Sequence, residues 1–360
     1  MITLFGATGF TGRLTATALD RSGLPYRLAG RSNDKLEQLS ASLSCRPEWL
    51  VADAADPASL PPLLRGTKIL INCAGPFTDL GEKVVRAAAV SGTHYLDTTN
   101  ELGFVLRLQA YSALAEKSKS TLTPACAFEV ALADCAAYEL SKKLKGPPLE
   151  AEIVYHLPAA GTSSGTRKSM LRSLATSWIA YAGGDWIGAA PLAGRRKVNL
   201  PGGDLDAIRI PSCESFTLPN RLSSFQNISV WMTVSPGRAR LASALGPYGA
   251  RLLRSVLGPL AVRVAGSGRS PTVEQAREDP FTIGVTIRNQ THALSVNLSG
   301  RGPYWLTAQI LAFACKHLLE NSTNRYGLLS PSQTFPADQF LQMAQTEWGV
   351  LQSPHITEGA

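Results

Sequence analysis

Along the first 125 residues, short apolar runs alternate with segments in which apolar positions recur every three or four residues. The runs ITLFGA, YRLAGR, EWLVADA, KILINCAG and HYLDTT read as strands, with a sixth at TLTPAC. Between them, GRLTATALDRSG is an amphipathic helix closed by Gly23, and a second helix starts at Ser32 or Asn33 and runs through DKLEQLSASL. PASLPPLLRG is a short helix entered through Asp56-Pro57, GEKVVRAAAVSG is another, and FVLRLQAYSALAEKSKS reads as one long helix. Strands spaced by helices of this length predict right-handed βαβ units on a parallel sheet.

The rhythm changes after FEVALADCAAYELSKKL, a helix stopped by Gly146-Pro147-Pro148. From residue 150 to 300, EAEIVYHL, AIRIPS, ISVWMTV, FTIGVTIRN and HALSVNLSG alternate with period two, which predicts a mainly antiparallel sheet. Two helical segments interrupt it: TRKSMLRSLATSWIAYAGG and the arginine-bearing RARLASALGPYGARLLRSVLGPLAVRVAGSG. PYWLTAQILAFACKHLLEN, behind Gly302-Pro303, is a largely apolar helix. A chain of 360 residues exceeds one small core and calls for two domains. The expectation is an α/β protein: a Rossmann-type doubly wound parallel sheet over residues 1–125, then a second α+β domain on a mainly antiparallel sheet over 126–302. The stretch 303–360 is expected to pack back on the first domain.

Composition narrows the function classes. With 44% hydrophobic and 17% charged residues, the chain is an ordinary globular one. A net charge of +8 favours anionic partners, but Lys and Arg are dispersed without any nucleic-acid-binding pattern, so no nucleic acid is expected. Cys45, Cys73, Cys126, Cys135, Cys213 and Cys315 form no CxxC pair, and the five histidines show no ligand spacing. Neither a metal site nor a disulfide framework is expected, and a reducing compartment fits. A strand starting at Ile2 leaves no basic leader ahead of it, and no long apolar run escapes charge. The expected location is therefore cytoplasmic, compatible with peripheral contact to a membrane.

The chemistry concentrates where strands end. In LFGATGFTGR a strand runs directly into glycines and then a helix, the context a dinucleotide fingerprint requires. Gly6 permits the tight turn, Gly9 the approach of a pyrophosphate, and Gly12 the packing of helix on strand; Thr8, Phe10 and Thr11 complete the loop. The helix N-terminus offers N–H groups to the phosphates. At the end of the second strand, where NAD-specific sites carry an acid, this chain has Arg31 and Ser32, with Lys35 one turn on. Arginine pairs with a 2′-phosphate that a carboxylate would repel, so NADP(H) is the expected cofactor. Asp53, after the third strand, is either an adenine acceptor or a turn cap. Asn72, Ala74, Gly75 and Pro76 lie at the carboxyl end of the fourth, at the crevice where open α/β sheets bind ligands.

These stretches together resemble a known family. GATGFTG, AGRSNDKL, INCAGPF, GEKVVRAAAVSGTHYLD and Glu101 are similar to the NADP-binding domain of the saccharopine dehydrogenase-like oxidoreductases. Within that superfamily the resemblance is to the branch of the trans-acting enoyl reductases and the eukaryotic saccharopine dehydrogenase-like oxidoreductase. PACAFEVALADCAAYEL resembles that branch's C-G-F-D-S-x-P-x-D segment, GTSSGTRKSML its S-G-G-T segment, and GRGPYWLTAQILAFACKHLL its D-P-Y-x-x-T helix. The chain departs from the branch at Asn100, Ala127, Glu129, Val130, Ser164 and Gly302, away from the phosphate loop and around the expected substrate region.

A hydride transfer needs a proton donor or electrophilic stabiliser nearby. Tyr95, Asp97 and Glu101 in HYLDTTNE and Glu129 beyond the sixth strand are the candidates; each also has a structural reading, as strand aromatic, cap or first-turn acid. The expected activity is NADPH-dependent reduction of an activated C=C or C=N bond in a hydrophobic small molecule. The alternatives are saccharopine-type amino-acid chemistry and a non-catalytic NADP-binding protein at a lipid surface. The arginine-bearing segment around Arg251, Arg254 and Arg263 reads either as an interfacial element or as a buried helical hairpin. A homodimer is compatible with all of these.

Overall fold

Six short apolar runs become the strands β1 Ile2–Phe5, β2 Tyr26–Gly30, β3 Trp49–Val51, β4 Ile69–Asn72, β5 His94–Asp97 and β6 Thr121–Thr123. In the computed structural model they form one parallel sheet with Gly327–Leu328 (β15), in the order β15-β6-β5-β4-β1-β2-β3. The structure describes residues 1–158, 161–176, 178–190, 192, 194–254, 260, 261, 263, 264, 267, 268, 270–320 and 325–355. β1 lies centrally, with Ile2, Leu4 and Phe5 buried. The chain leaves it for β2 on one side and later takes β4 on the other, which makes the carboxyl end of β1 the topological switch point. Helices α1 Phe10–Ser22, α2 Asn33–Ala41, α3 Leu60–Leu64 and α4 Phe77–Ser91 join successive strands, and the doubly wound expectation is borne out.

The chain divides into two compact units. The first comprises Met1–Thr99, Gly103–Phe128 and Tyr304–Phe335; the second comprises Asn100–Leu102, Glu129–Pro303 and Pro336–Ala360. The expected single helix after β5 is broken into α5 Leu102–Arg107, a tight turn at Leu108–Tyr111, and α6 Ser112–Lys117. The helix Pro303–Glu320 buries Leu306, Ala308, Ile310, Leu311 and Ala314.

The second unit opens with α7 Phe128–Ser141 and β7 Glu150–His156. Its mixed sheet adds β10 Arg195–Leu200, β11 Gly203–Arg209, β12 Asn227–Thr233, β13 Pro280–Arg288, β14 Ala293–Arg301 and β16 Leu351–His355, in the order β10-β11-β12-β7-β13-β14-β16. Only the β12–β7 pair is parallel, so the mainly antiparallel expectation holds. Val154, Val198, Leu200 and Ala207 make a core on one face, with Leu205 and Trp231 packed against it. One expectation is corrected here. The helix read over TRKSMLRSLATSWIAYAGG stops early, as α8 Ser164–Thr176, and β8 Ile179–Ala182 turns back as β9 Asp185–Gly188. Gly183 and Gly184 sit at φ +64° and +79°, the paired left-handed conformation of a two-residue hairpin turn, and that turn prevails over the helical spacing of the preceding residues. α9 Glu214–Arg221 and α10 Pro236–Leu253 follow; residues 255–259 of the arginine-bearing segment lie outside the described residues.

Candidate functional site

The three glycines after β1 do three different jobs. Gly6 turns the chain at φ +78°, and a Cβ there would stand 2.7 Å from the Ala74 nitrogen, so the turn lies directly on the β4–α4 connection. At Gly12 a Cβ would reach 2.3 Å from the Gly6 carbonyl oxygen; hydrogen in its place lets α1 seat on the turn. Gly9 is exposed, and a Cβ there would meet nothing within 4 Å except the Gly6 carbonyl oxygen, at 3.2 Å. Space therefore opens over Gly9 that its neighbours do not fill. α1 starts there with no side-chain cap and no acid in its first turn, leaving first-turn N–H groups and a positive helix end directed outward. Phe10 is anchored edge-on against Tyr304, ring centroids 5.0 Å apart; Thr8 and Thr11 are half-buried.

At the end of β2, Arg31 and Lys35 are exposed, and Ser32 is the N-cap of α2 without spending its hydroxyl on the cap. Asp34, in the first turn of α2, is also exposed. Asp53 is engaged in its own turn: its carboxylate accepts from the Ala55 N–H at 3.0 Å, and its carbonyl accepts from Ser59 Oγ at 2.6 Å. These features fit a dinucleotide carrying a third phosphate: a glycine cradle open above Gly9, an uncapped helix terminus, and two exposed cations with a hydroxyl beside them.

Asn72, Tyr95 and Asp97 are fully buried and bonded in series. Asn72 Oδ1 accepts from the Ala74 N–H at 2.9 Å, and Asn72 Nδ2 donates to Tyr95 Oη at 3.0 Å. Tyr95 Oη donates to Asp97 Oδ2 at 2.8 Å, and Asp97 Oδ1 accepts from the N–H groups of Thr99 and Ala125. The chain of bonds ties the carboxyl ends of β4, β5 and β6 together. Burial and the Asp97 charge push the Tyr95 phenol well above its ordinary range, so it stays protonated as the donor. Ala125, at φ +58°, is held in a left-handed conformation within reach of that carboxylate. Gly75 is exposed and Pro76 half-buried, as the N-cap of α4.

In the second unit a group of acids gathers around Asn100. Asn100 Oδ1 accepts from the Cys213 N–H at 2.8 Å and from Ser212 Oγ at 3.0 Å, and its amide bonds the Glu129 carboxyl. Ser212 Oγ also bonds Glu214, whose other oxygen accepts from Tyr155 Oη. Ser212 has one hydroxyl hydrogen and two acceptor neighbours, and Asn100 Oδ1, fixed as an acceptor by Cys213, cannot supply another. A proton on Glu214 resolves the conflict: the carboxylic acid donates to Ser212, and Ser212 donates to Asn100. Desolvation, with Glu129 and Asp134 nearby, raises Glu214 well above the carboxylate range, in agreement with that count. Desolvation pushes Glu129 up to about 7, against the opposing bond from Asn100. Glu101, fully buried, accepts from Ser169 Oγ at 2.6 Å.

Glu129 was a candidate from the sequence and lies in the Asn100 cluster; Glu101 was another and bonds Ser169 instead; Ser212, Glu214 and the partners of Tyr155 were not candidates. Glu214 stands alone in SCESF with no spacing signal; only the fold brings it to Asn100, more than a hundred residues earlier.

Residues 2–137 match the saccharopine dehydrogenase NADP binding domain family, and the resemblance read from the motifs is thereby borne out. The trans-acting enoyl reductase of Mycobacterium leprae is 34% identical over 149 residues, covering 40% of this chain and 36% of that protein. The trans-acting enoyl reductase of Mycobacterium tuberculosis is 34% identical over 148 residues, covering 39% and 35%. The matched segments thus span less than half of these curated relatives. Among solved structures, apo saccharopine dehydrogenase (L-Glu forming) from Saccharomyces cerevisiae aligns over 98% of this chain and 99% of its own, with a TM-score of 0.63 and 12% identity, a likeness of fold.

Proposed function

We propose that the chain built on this saccharopine dehydrogenase NADP binding domain is an NADPH-dependent oxidoreductase that reduces an activated C=C bond, of enoyl type, or a C=N bond in a hydrophobic small molecule. The observation that carries the reading is the pairing of an open Gly9 cradle at an uncapped helix with Arg31, Ser32 and Lys35 at the end of β2. Gly9, Phe10, Thr11 and Gly12 would hold the pyrophosphate through first-turn N–H groups, and Arg31 and Ser32 the 2′-phosphate. When bound, the cofactor supplies the hydride.

The chain's own part is to hold that surface and manage a proton. Asn72 keeps the Ala74 backbone in place, and Tyr95 and Asp97 keep Asn72 oriented. Of the four candidates, Glu129 is assigned the donation: a group titrating at about 7 carries its proton on half the molecules at neutral pH and gives it up readily. Tyr95 and Asp97 act as positioning residues in this reading, and Asp53 as a turn residue. The identity of the relatives as enoyl reductases favours the C=C reading over the C=N one.

The test has two arms. NADPH and NADH are titrated onto wild-type protein and Arg31→Ala. Loss of a charge-assisted bond to phosphate weakens NADPH roughly ten- to a hundredfold and leaves NADH nearly unchanged. Equal loss for both would reduce Arg31 to an adenine-stacking residue. NADPH consumption is then followed with a panel of enoyl thioesters, imines, and keto-acid and amine pairs; turnover of the last alone would point to saccharopine-type chemistry, and no turnover to a binding protein.

A further inference from the structure

We propose that the outer face of α10 is a docking surface for an anionic phospholipid bilayer. Leu241, Tyr248 and Leu252 are 60%, 74% and 56% exposed. They are spaced by seven and four residues, which places them within about 40° of arc on the helix surface. Ala239 is buried and Gly246 approaches Leu192, where a Cβ would come within 2.7 Å of that side chain; these residues mark the inner face, turned toward the rest of the unit. Arg238 and Arg251 lie on either side of the exposed stripe and Arg240 further round, all exposed. Leu260 and Val264 beyond the helix are exposed as well, with Arg263 between them.

Charge selects the occupant. Between Glu214 and Glu274 the chain contains no Asp or Glu and seven arginines. A protein partner or a second copy would gain nothing from so long an acid-free stretch unless it carried a matching acidic face, and a copy of this basic chain would bring the same arginines. A leaflet carrying anionic lipid meets both features at once: leucine and tyrosine enter the boundary between headgroups and acyl chains, and the flanking guanidinium groups reach phosphates while their stems cover apolar surface. Each basic side chain near such a surface multiplies partitioning by about fivefold. No helix among the described residues is long and apolar enough to cross a membrane, so the contact is peripheral.

The experiment sediments the full chain with vesicles of phosphatidylcholine alone and of phosphatidylcholine with phosphatidylserine. Wild-type protein is expected to bind the anionic vesicles at least tenfold better and to come off as salt rises. Arg238→Gln with Arg251→Gln should lower that binding about thirtyfold, and Leu241→Asp with Tyr248→Asp should abolish it. Both variants keep wild-type NADPH affinity, which shows that they fold. Wild-type protein left in the supernatant with both vesicles overturns the proposal, as does undiminished binding by either variant. A dimer in sedimentation velocity that Leu241→Asp with Tyr248→Asp dissociates would give the face to a second copy and overturn it equally.

Discussion

At the scale of single residues, Gly9 and Gly12 should respond in opposite ways to added side chains. Gly9→Val fills space above the loop while its backbone stays in an ordinary conformation, so NADPH affinity falls and the unfolding midpoint changes little. Gly12→Ala drives a methyl group against two backbone carbonyls that cannot move independently, costing about 1–3 kcal/mol of stability. Calorimetry and cofactor titration on the two variants separate these outcomes; comparable stability loss in both would mean the loop is packed throughout. Glu214 gives a test of another kind. Its folded-state pKa lies above the ordinary 4.5, so the folded protein binds more protons than the unfolded chain and stability falls as pH rises above that value. Glu129 contributes a fall of the same sign that is half run at about pH 7 and continues beyond it, and desolvation lowers the N-terminal amine from its usual 8.0, which adds a slope of opposite sign. Glu214's own share of the slope is at most about 1.4 kcal/mol per pH unit, and a variant isolates it. Glu214→Gln keeps an oxygen for Tyr155 and an N–H for Ser212 while removing the titration. Urea midpoints measured as pH rises above 4.5 should fall less steeply in the variant than in wild type; a slope equal to wild type would place the proton elsewhere.

At the scale of elements, the strand ends depend on the bonds that run through Tyr95. Tyr95→Phe removes the hydroxyl that bonds both the buried Asn72 amide and the Asp97 carboxylate, which costs about 1–3 kcal/mol. Because Asn72 also holds the Ala74 N–H, NADPH affinity should drop together with the melting temperature; a stable variant with unchanged affinity would show that Tyr95 only fills space. The strands themselves were legible in the sequence, since Ile2–Phe5 or Phe281–Ile287 must present apolar groups to a core and their period shows it. Elements whose register comes from partners were not. β10 reads RRKVNL, mostly polar and exposed, and is a strand because β11 pairs with it. β8 and β9 carry apolar residues at spacings a helix would also accept, and two glycines decide the matter. The glycine loop proposed to hold the cofactor was legible because its geometry is local, contained within Gly6–Gly12. The Asn100 cluster was not, because its members meet only through tertiary contacts.

At the scale of the whole molecule, the segment that matches the NADP binding domain and the unit that folds are different stretches of chain. Residues 2–137 match the family, but the first unit also takes in Tyr304–Phe335. That return segment sets Tyr304 against Phe10, accepts a bond from the Phe128 N–H at Thr307 Oγ1, and joins Thr334 to Thr123 at 2.6 Å. A fragment of residues 1–137 should therefore lack a cooperative thermal transition, and joining residues 303–335 to it through a flexible linker should restore one. A sharp transition in the short fragment would show the return segment to be dispensable. The arrangement also sets a clock on biosynthesis. With a ribosome adding roughly 5–20 residues each second, the about two hundred residues between β6 and the end of the return segment take roughly 10–40 s to make. Through that interval β6 waits with an unpaired edge, open to other nascent strands. The chain's yield in a cell is thus tied to how long the unfinished sheet can be kept from wrong partners, a demand on chaperones that the finished protein no longer shows.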